Sequence, residues 1–151
     1  TYNSSTGVLN VPNYATGGGG GETEVVQAAN VTATTTTGIN TDLTFTATAN
    51  TTYRVIVVGT AISAATGGAM QVSWSLPSGT AAGTLTLNNT NFSMAGASGT
   101  WAGPTTGTNP ATTSTTLNVL GIVRVGATGG AVSLQIRRGA SSTQNVSLEA
   151  G

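Results

Sequence analysis

The run Tyr53-Arg54-Val55-Ile56-Val57-Val58 constrains this chain more than any other stretch. β-Branched side chains are stiff at χ1 and suit a pleated, half-buried surface better than a helix. Just upstream, Leu43-Thr44-Phe45-Thr46-Ala47-Thr48 alternates apolar and hydroxylated residues, the period-2 signature of a strand with one buried face. A turn at Ala49-Asn50-Thr51 separates the two. Tyr53, Val55 and Val57 continue an apolar face, but Ile56 and Val58 are apolar as well. A strand that is apolar on both faces lies centrally in a fold or against a partner chain.

The remaining chain has the same character. Met70, Val72, Trp74 and Leu76 alternate with Gln71, Ser73 and Ser75, and Pro77-Ser78-Gly79 ends the pattern. Leu117 to Val125 is a second strand apolar on both faces, with Leu120 and Ile122 on the face opposite Leu117, Val119, Val123 and Val125. Val132, Leu134 and Ile136 alternate with Ser133, Gln135 and Arg137. Shorter strands are expected at Thr23–Ala28, Val31–Thr36, Leu85/Leu87, Phe92/Met94 and Val146/Leu148, and a turn at Gly38–Thr41. No stretch of useful length repeats every 3.6 residues. Short strands with turn signals every 8–12 residues specify an all-β fold, an antiparallel β-sandwich of jelly-roll-like kind.

Two segments stand outside that pattern. Gly17–Gly21 is an unbroken glycine run. A phosphate-binding loop would need a lysine at fixed spacing, and the chain has none, so the run reads as a flexible linker. It divides an extended N-terminal arm with its linker, 1–21, from a sandwich domain, 22–151. Gly96–Ser114, rich in Gly, Thr, Ala and Pro, reads as a long surface loop whose one large side chain is Trp101.

Composition excludes more than it suggests. Charged residues are 5% of the chain against about 25% in ordinary globular domains. Four arginines balance four acids, which leaves no electrostatic footprint for nucleic acid. Without cysteine there is no thiol nucleophile, disulfide or Cys-based zinc site, and without histidine the usual general base and metal ligand are missing. No apolar run approaches the about 20 residues that span a bilayer, and no signal-peptide pattern opens the chain. Glu22 and Glu24 could hold a cation with Asp42, but calcium takes six to eight oxygen ligands, and structural or solvated roles are the expectation for the three. Four acids in all make a glycosidase pair a poor expectation. The chain is therefore expected to be no enzyme and to carry no cofactor. A neutral chain that relies on Thr, Ser, Asn and Gly for solubility associates readily.

The candidate functional residues are contact residues. In the arm these are Tyr2, Val8, Leu9, Val11 and Tyr14, apolar or aromatic positions beyond a glycine tether. In the long loop it is Trp101, an aromatic suited to stack on a sugar ring or dock on a protein. Arg137 and Arg138, adjacent on a strand, point to opposite faces and do not make one patch.

Thr1–Tyr14 resembles a short segment common in tailed-bacteriophage fibre and appendage proteins. Leu43–Val58, with the Met70–Pro77 strand and a Gly121–Gly130 hairpin, resembles a β-sandwich domain of phage virion proteins, which occurs on capsid decoration proteins and on fibre heads. The resemblance implies a virion-surface location and a trimer of identical chains. It implies a decoration (cement) protein on the head, with the major capsid protein or another virion protein as partner. The alternative is the receptor-binding head of a tail fibre, with a host surface glycan or protein as ligand. Neither nucleic acid nor membrane is an expected partner.

Overall fold

A computed structural model of the protein describes residues 24–105 and 110–150, together with the backbone of 2–3 and 8–9. In the arm, β1 (Tyr2–Asn3) and β2 (Val8–Leu9) pair antiparallel, Tyr2 opposite Leu9. Val11, Tyr14 and the glycine run lie outside the described residues.

From Glu24 onward the described chain is a β-sandwich without helices. A six-stranded sheet has the order β3 (Val31–Ala33), β11 (Val146–Leu148), β5 (Thr52–Ser63), β9 (Thr115–Val125), β7 (Gly79–Leu87), β8 (Thr90–Gly96). A three-stranded sheet has the order β4 (Ile39–Ala47), β10 (Gly130–Arg138), β6 (Met70–Ser75). Every pairing is antiparallel. Leu85, Leu117, Val119 and Val123 from the larger sheet meet Val72, Val132, Leu134 and Ile136 from the smaller, and all are essentially removed from water. The alternation seen in the sequence is thus the alternation of burial, as strand geometry requires.

Trp74 packs in this core against a glycine of the facing sheet. A Cβ built on Gly121 of β9 would lie 3.8 Å from the indole Nε1 of Trp74, in ordinary contact. Gly83 pairs with Gly121 across the β7–β9 ladder.

The turns follow local chemistry. Asn88 and Asn89 between β7 and β8 have φ of 49° and 60°, the left-handed pair that a two-residue hairpin needs and that asparagine tolerates. The turn at Ala49–Thr51, with Asn50 at φ 56°, carries the chain from the small sheet to the large one. The segment after β9 carries it back. Gly121–Gly130 is therefore not a hairpin: β9 and β10 belong to different sheets, because β10 inserts between β4 and β6. The two crossings are joined by Asn50 N–H to Gly126 O (2.8 Å) and Val125 N–H to Thr51 O (2.9 Å).

Three local expectations are corrected. Residues 24–28 form no strand. Gln27 is buried there and its amide is fully used: Nε2 donates to Ala29 O (2.7 Å) and Asp42 Oδ2 (3.0 Å), and Oε1 accepts from Asp42 N–H (3.1 Å). Gly38–Thr41 is not a turn, since β4 starts at Ile39. A bulge follows it, where Thr41, Asp42 and Leu43 face Leu134 alone, and the Thr41 hydroxyl donates to Leu134 O (3.0 Å). Finally, part of Gly96–Ser114 is sheet edge rather than free loop. Gly99 N–H donates to Trp74 O (3.0 Å), and Val72 and Ala102 exchange both backbone bonds. This covers the outer edge of β6, whose backbone groups would otherwise lie open.

Candidate interaction face

The outer face of the larger sheet carries the residues that made β5 and β9 read as two-faced. Tyr53, Val55 and Val57 turn inward, while Arg54, Ile56 and Val58 turn out. On β9, Leu120, Ile122 and Arg124 turn out. The ladder sets Ile56 opposite Leu120 and Arg54 opposite Ile122, with Val58 one step further on. Ile56 is 60% exposed, Val58 76%, Leu120 52% and Ile122 39%. Ala82 and Thr84 of β7 extend the surface on the far side of Ile122 and Leu120. The outward positions of β5, β9, β7 and β8 hold Thr, Asn, Ser, Ala, these four aliphatics, the half-buried Ile62 and two arginines, and no carboxylate. These aliphatic side chains adjoin one another on a face otherwise covered by small and hydroxylated residues.

A second feature lies where the sandwich is open. β5 pairs with β9 along its length, but on its other side β11 reaches only Ala61–Ser63. β4 likewise has β10 on one side only. The two edges face each other across an opening of about 410 Å³. Leu43, Phe45, Tyr53, Val55 and Val57 line it, with Val25 at its rim and Trp74 on its floor. The Phe45 and Tyr53 rings, centroids 5.2 Å apart and tilted 58°, tie the sheets together there. Thr48 N–H donates to the Tyr53 hydroxyl oxygen (2.8 Å), and this bond holds the Tyr53 phenol below its ordinary pKa. Nothing in the alternation of either strand signalled the opening, because among the described residues it is set by where strand pairing stops.

Trp101 is half-buried. It lies across the outside of the small sheet with the Arg137 guanidinium carbon 4.3 Å from its ring centre. A Cβ on Gly38 would come within 2.5 Å of the ring, so Gly38 makes room for it. Arg137 Nε donates to Gln71 Oε1 (2.9 Å), and burial lowers the Arg137 pKa. The loop tryptophan is thus held on its own domain with one face covered. Arg138 turns the other way and donates from Nη1 to Thr143 O (3.3 Å). Of the three carboxylates near the start of the sandwich domain, Glu24 is exposed, Asp42 is engaged by Gln27, and Glu22 lies outside the described residues. Among the described residues no group of three His, Cys, Asp or Glu side chains stands close enough to hold a metal. For the arm contacts Tyr2, Val8 and Leu9, the structure gives backbone pairing only.

Comparison of the chain with family models, curated proteins and solved structures finds no match.

Proposed function

We propose that the protein is a non-enzymatic structural component of a tailed-phage particle. It acts as a capsid decoration protein, bound as a homo-oligomer, a trimer, to the outside of the head. The observation that carries this is the aliphatic face of Ile56, Val58, Leu120 and Ile122 on a rigid, almost uncharged sandwich. Such a face favours association of copies, and so few charges provide little repulsion against it. The resemblance of Thr1–Tyr14 and of the sandwich strands to phage virion proteins gives the setting. The arm then ties each sandwich to capsid subunits or to neighbours, and several weak arms on one oligomer hold firmly together.

A cement protein binds the assembled lattice and not the dissociated subunits, so its binding free energy adds to shell stability. Particles lacking the protein should disassemble at lower temperature and still adsorb to cells. The arm's likeness to fibre segments supports a second reading, a receptor-binding fibre head. In that case loss of the protein would abolish adsorption and leave heat resistance unchanged.

A further inference from the structure

We infer that the opening between β4 and β5 is a strand-acceptor groove, and that it takes the Val8–Val11 segment of a second copy's arm as an added strand. This deepens the proposal that the chain works as an oligomer, and rests on it.

One wall of the groove is unpaired backbone. Thr60 O accepts from Glu149 N–H (3.0 Å) beyond the end of β11. Backbone groups in an antiparallel strand point alternately to the two sides. The same parity therefore turns the amides and carbonyls of Arg54, Ile56 and Val58 into the opening. No described residue pairs with them there. A small-molecule pocket needs only a few polar groups, whereas a row of free main-chain groups above an apolar floor suits an extended peptide.

The arm has the matching pattern. With Leu9 and Val11 turned toward Phe45, Val55 and Trp74, the amides of Val8 and Asn10 face β5. Pro12, next in that parity, has no N–H and ends the ladder. Twenty-three residues precede Glu24, and the chain leaves the described domain beside Val25, at the rim of the groove.

The choice of a second copy over the chain's own arm rests on two observations. Residues 24–28 already pass the rim and are fixed to the β4 bulge by Gln27, which narrows a return path. And β5 supplies both the groove wall and, through Ile56 and Val58, the outer face on which copies meet, so a neighbour's arm starts close by. Glycine gives up more freedom on ordering than any other residue, so five in a row suit a reach between bodies rather than a fixed local turn.

The chain has no cysteine, so engineered pairs report cleanly. Full-length Leu9→Cys and Val55→Cys proteins, mixed and mildly oxidised, should give a cross-linked dimer. Leu9→Cys mixed with Ala95→Cys, exposed on β8, should not. Chains carrying both Leu9→Cys and Val55→Cys that close only within themselves would overturn the second-copy assignment. In a second test the acceptor is full-length Leu9→Asp/Val11→Asp, whose own arms cannot compete. A synthetic peptide of residues 1–16 should bind it, and N-methylation of the peptide at Asn10 should weaken binding about tenfold or more. N-methylation alters the peptide alone, so both measurements use the same folded acceptor. Equal binding of both peptides, or of neither, overturns the added strand. Light scattering on the wild-type protein separates the failures. An oligomer without cross-linking sinks the groove alone, and a wild-type monomer without cross-linking sinks the oligomer reading too.

Discussion

Ile56 and Leu120 stand directly opposite each other on the β5–β9 ladder, and both project away from the core. Cross-strand pairs of this kind stabilise a sheet by about 0.2–1 kcal/mol, which is a small return for two exposed aliphatic side chains. On the proposed reading they pack against another copy. The purified protein should therefore scatter light as an oligomer, a trimer, at micromolar concentration. Ile56→Thr with Leu120→Thr puts a β-branched, strand-compatible residue at both positions and should reduce the mass to that of one chain. The intrinsic stability of the sandwich should move by only about 0.5 kcal/mol, as for surface changes generally. A wild-type protein that is already monomeric would count against the face.

The two tryptophans should separate in the same assay. Trp74 is 4% exposed and rests against Gly121, so Trp74→Ala should cost about 3–5 kcal/mol in chemical denaturation. Trp101→Ala loses a half-exposed ring and a stacking contact with Arg137 of about 0.5–1 kcal/mol, and should cost clearly less. If both cost the same, Trp101 is as much a core residue as Trp74.

The strands and most core residues were legible in the sequence because period-2 alternation is burial read along one dimension. Met70, Val72, Trp74, Val132, Leu134 and Ile136 are buried as the pattern requires. The two-faced strands left open a central position or a contact with a partner; the structure makes them central in the larger sheet with one aliphatic face exposed, and sets Ile56 and Leu120 on one rung. What stayed hidden is set by pairing between distant segments. The bulge buries Thr41 and breaks the alternation, so that stretch looked like a turn. The bridge of Ala102 to Val72 is a tertiary contact with no local signature. The β4–β5 opening depends on where β11 stops, a fact of register that composition does not carry.

The paired glycines of β7 and β9 make opposite predictions. A Cβ on Gly121 would meet Ala82 O at 3.5 Å and Trp74 Nε1 at 3.8 Å, which are ordinary contacts. Gly121→Ala should be tolerated within about 0.5 kcal/mol, or gain slightly from a less flexible unfolded chain. A Cβ on Gly83 would run into the backbone of Leu120 and Gly121, which cannot give way without disturbing the ladder. Gly83→Ala should cost about 1–3 kcal/mol, the usual penalty for overpacking. Denaturation midpoints for the two variants check this directly, and equal values would mean that β7 and β9 are spaced differently.

Tyr53 gives a pH prediction. The Thr48 amide donates to its hydroxyl oxygen, and its pKa lies below the ordinary value. Ionisation is therefore easier in the folded state. The resulting stabilisation is complete above the unfolded value of about 10 and disappears as pH falls through the folded value. The stability difference between wild type and Tyr53→Phe should widen as pH rises toward 10. Near pH 7 it should be only the net worth of one hydrogen bond, about 0.5–1.5 kcal/mol. With no histidine in the chain, no side chain has an ordinary pKa between about 5 and 8. Stability and oligomeric state should thus stay nearly level from about pH 6 to pH 8. A sharp transition inside that window would require a titrating side chain that the composition does not provide.

Salt discriminates between the kinds of contact that could hold the protein on a particle. Raising sodium chloride from about 0.1 M to about 1 M shortens the Debye length from about 10 Å to about 3 Å and weakens attraction between exposed charges. The chain has four arginines and four acids, and the exposed face offers aliphatic side chains with Arg54 and Arg124 alone as charges. Attachment through that face and through an apolar arm should survive the change nearly intact. Stripped particles incubated with purified protein at each salt concentration and then sedimented should carry similar amounts. Ile56→Thr/Leu120→Thr and Leu9→Asp/Val11→Asp proteins should be depleted from the pellet at both. Release of the wild-type protein by salt alone, at a temperature where the shell stays whole, would assign the attachment to the few charges and overturn apolar anchoring.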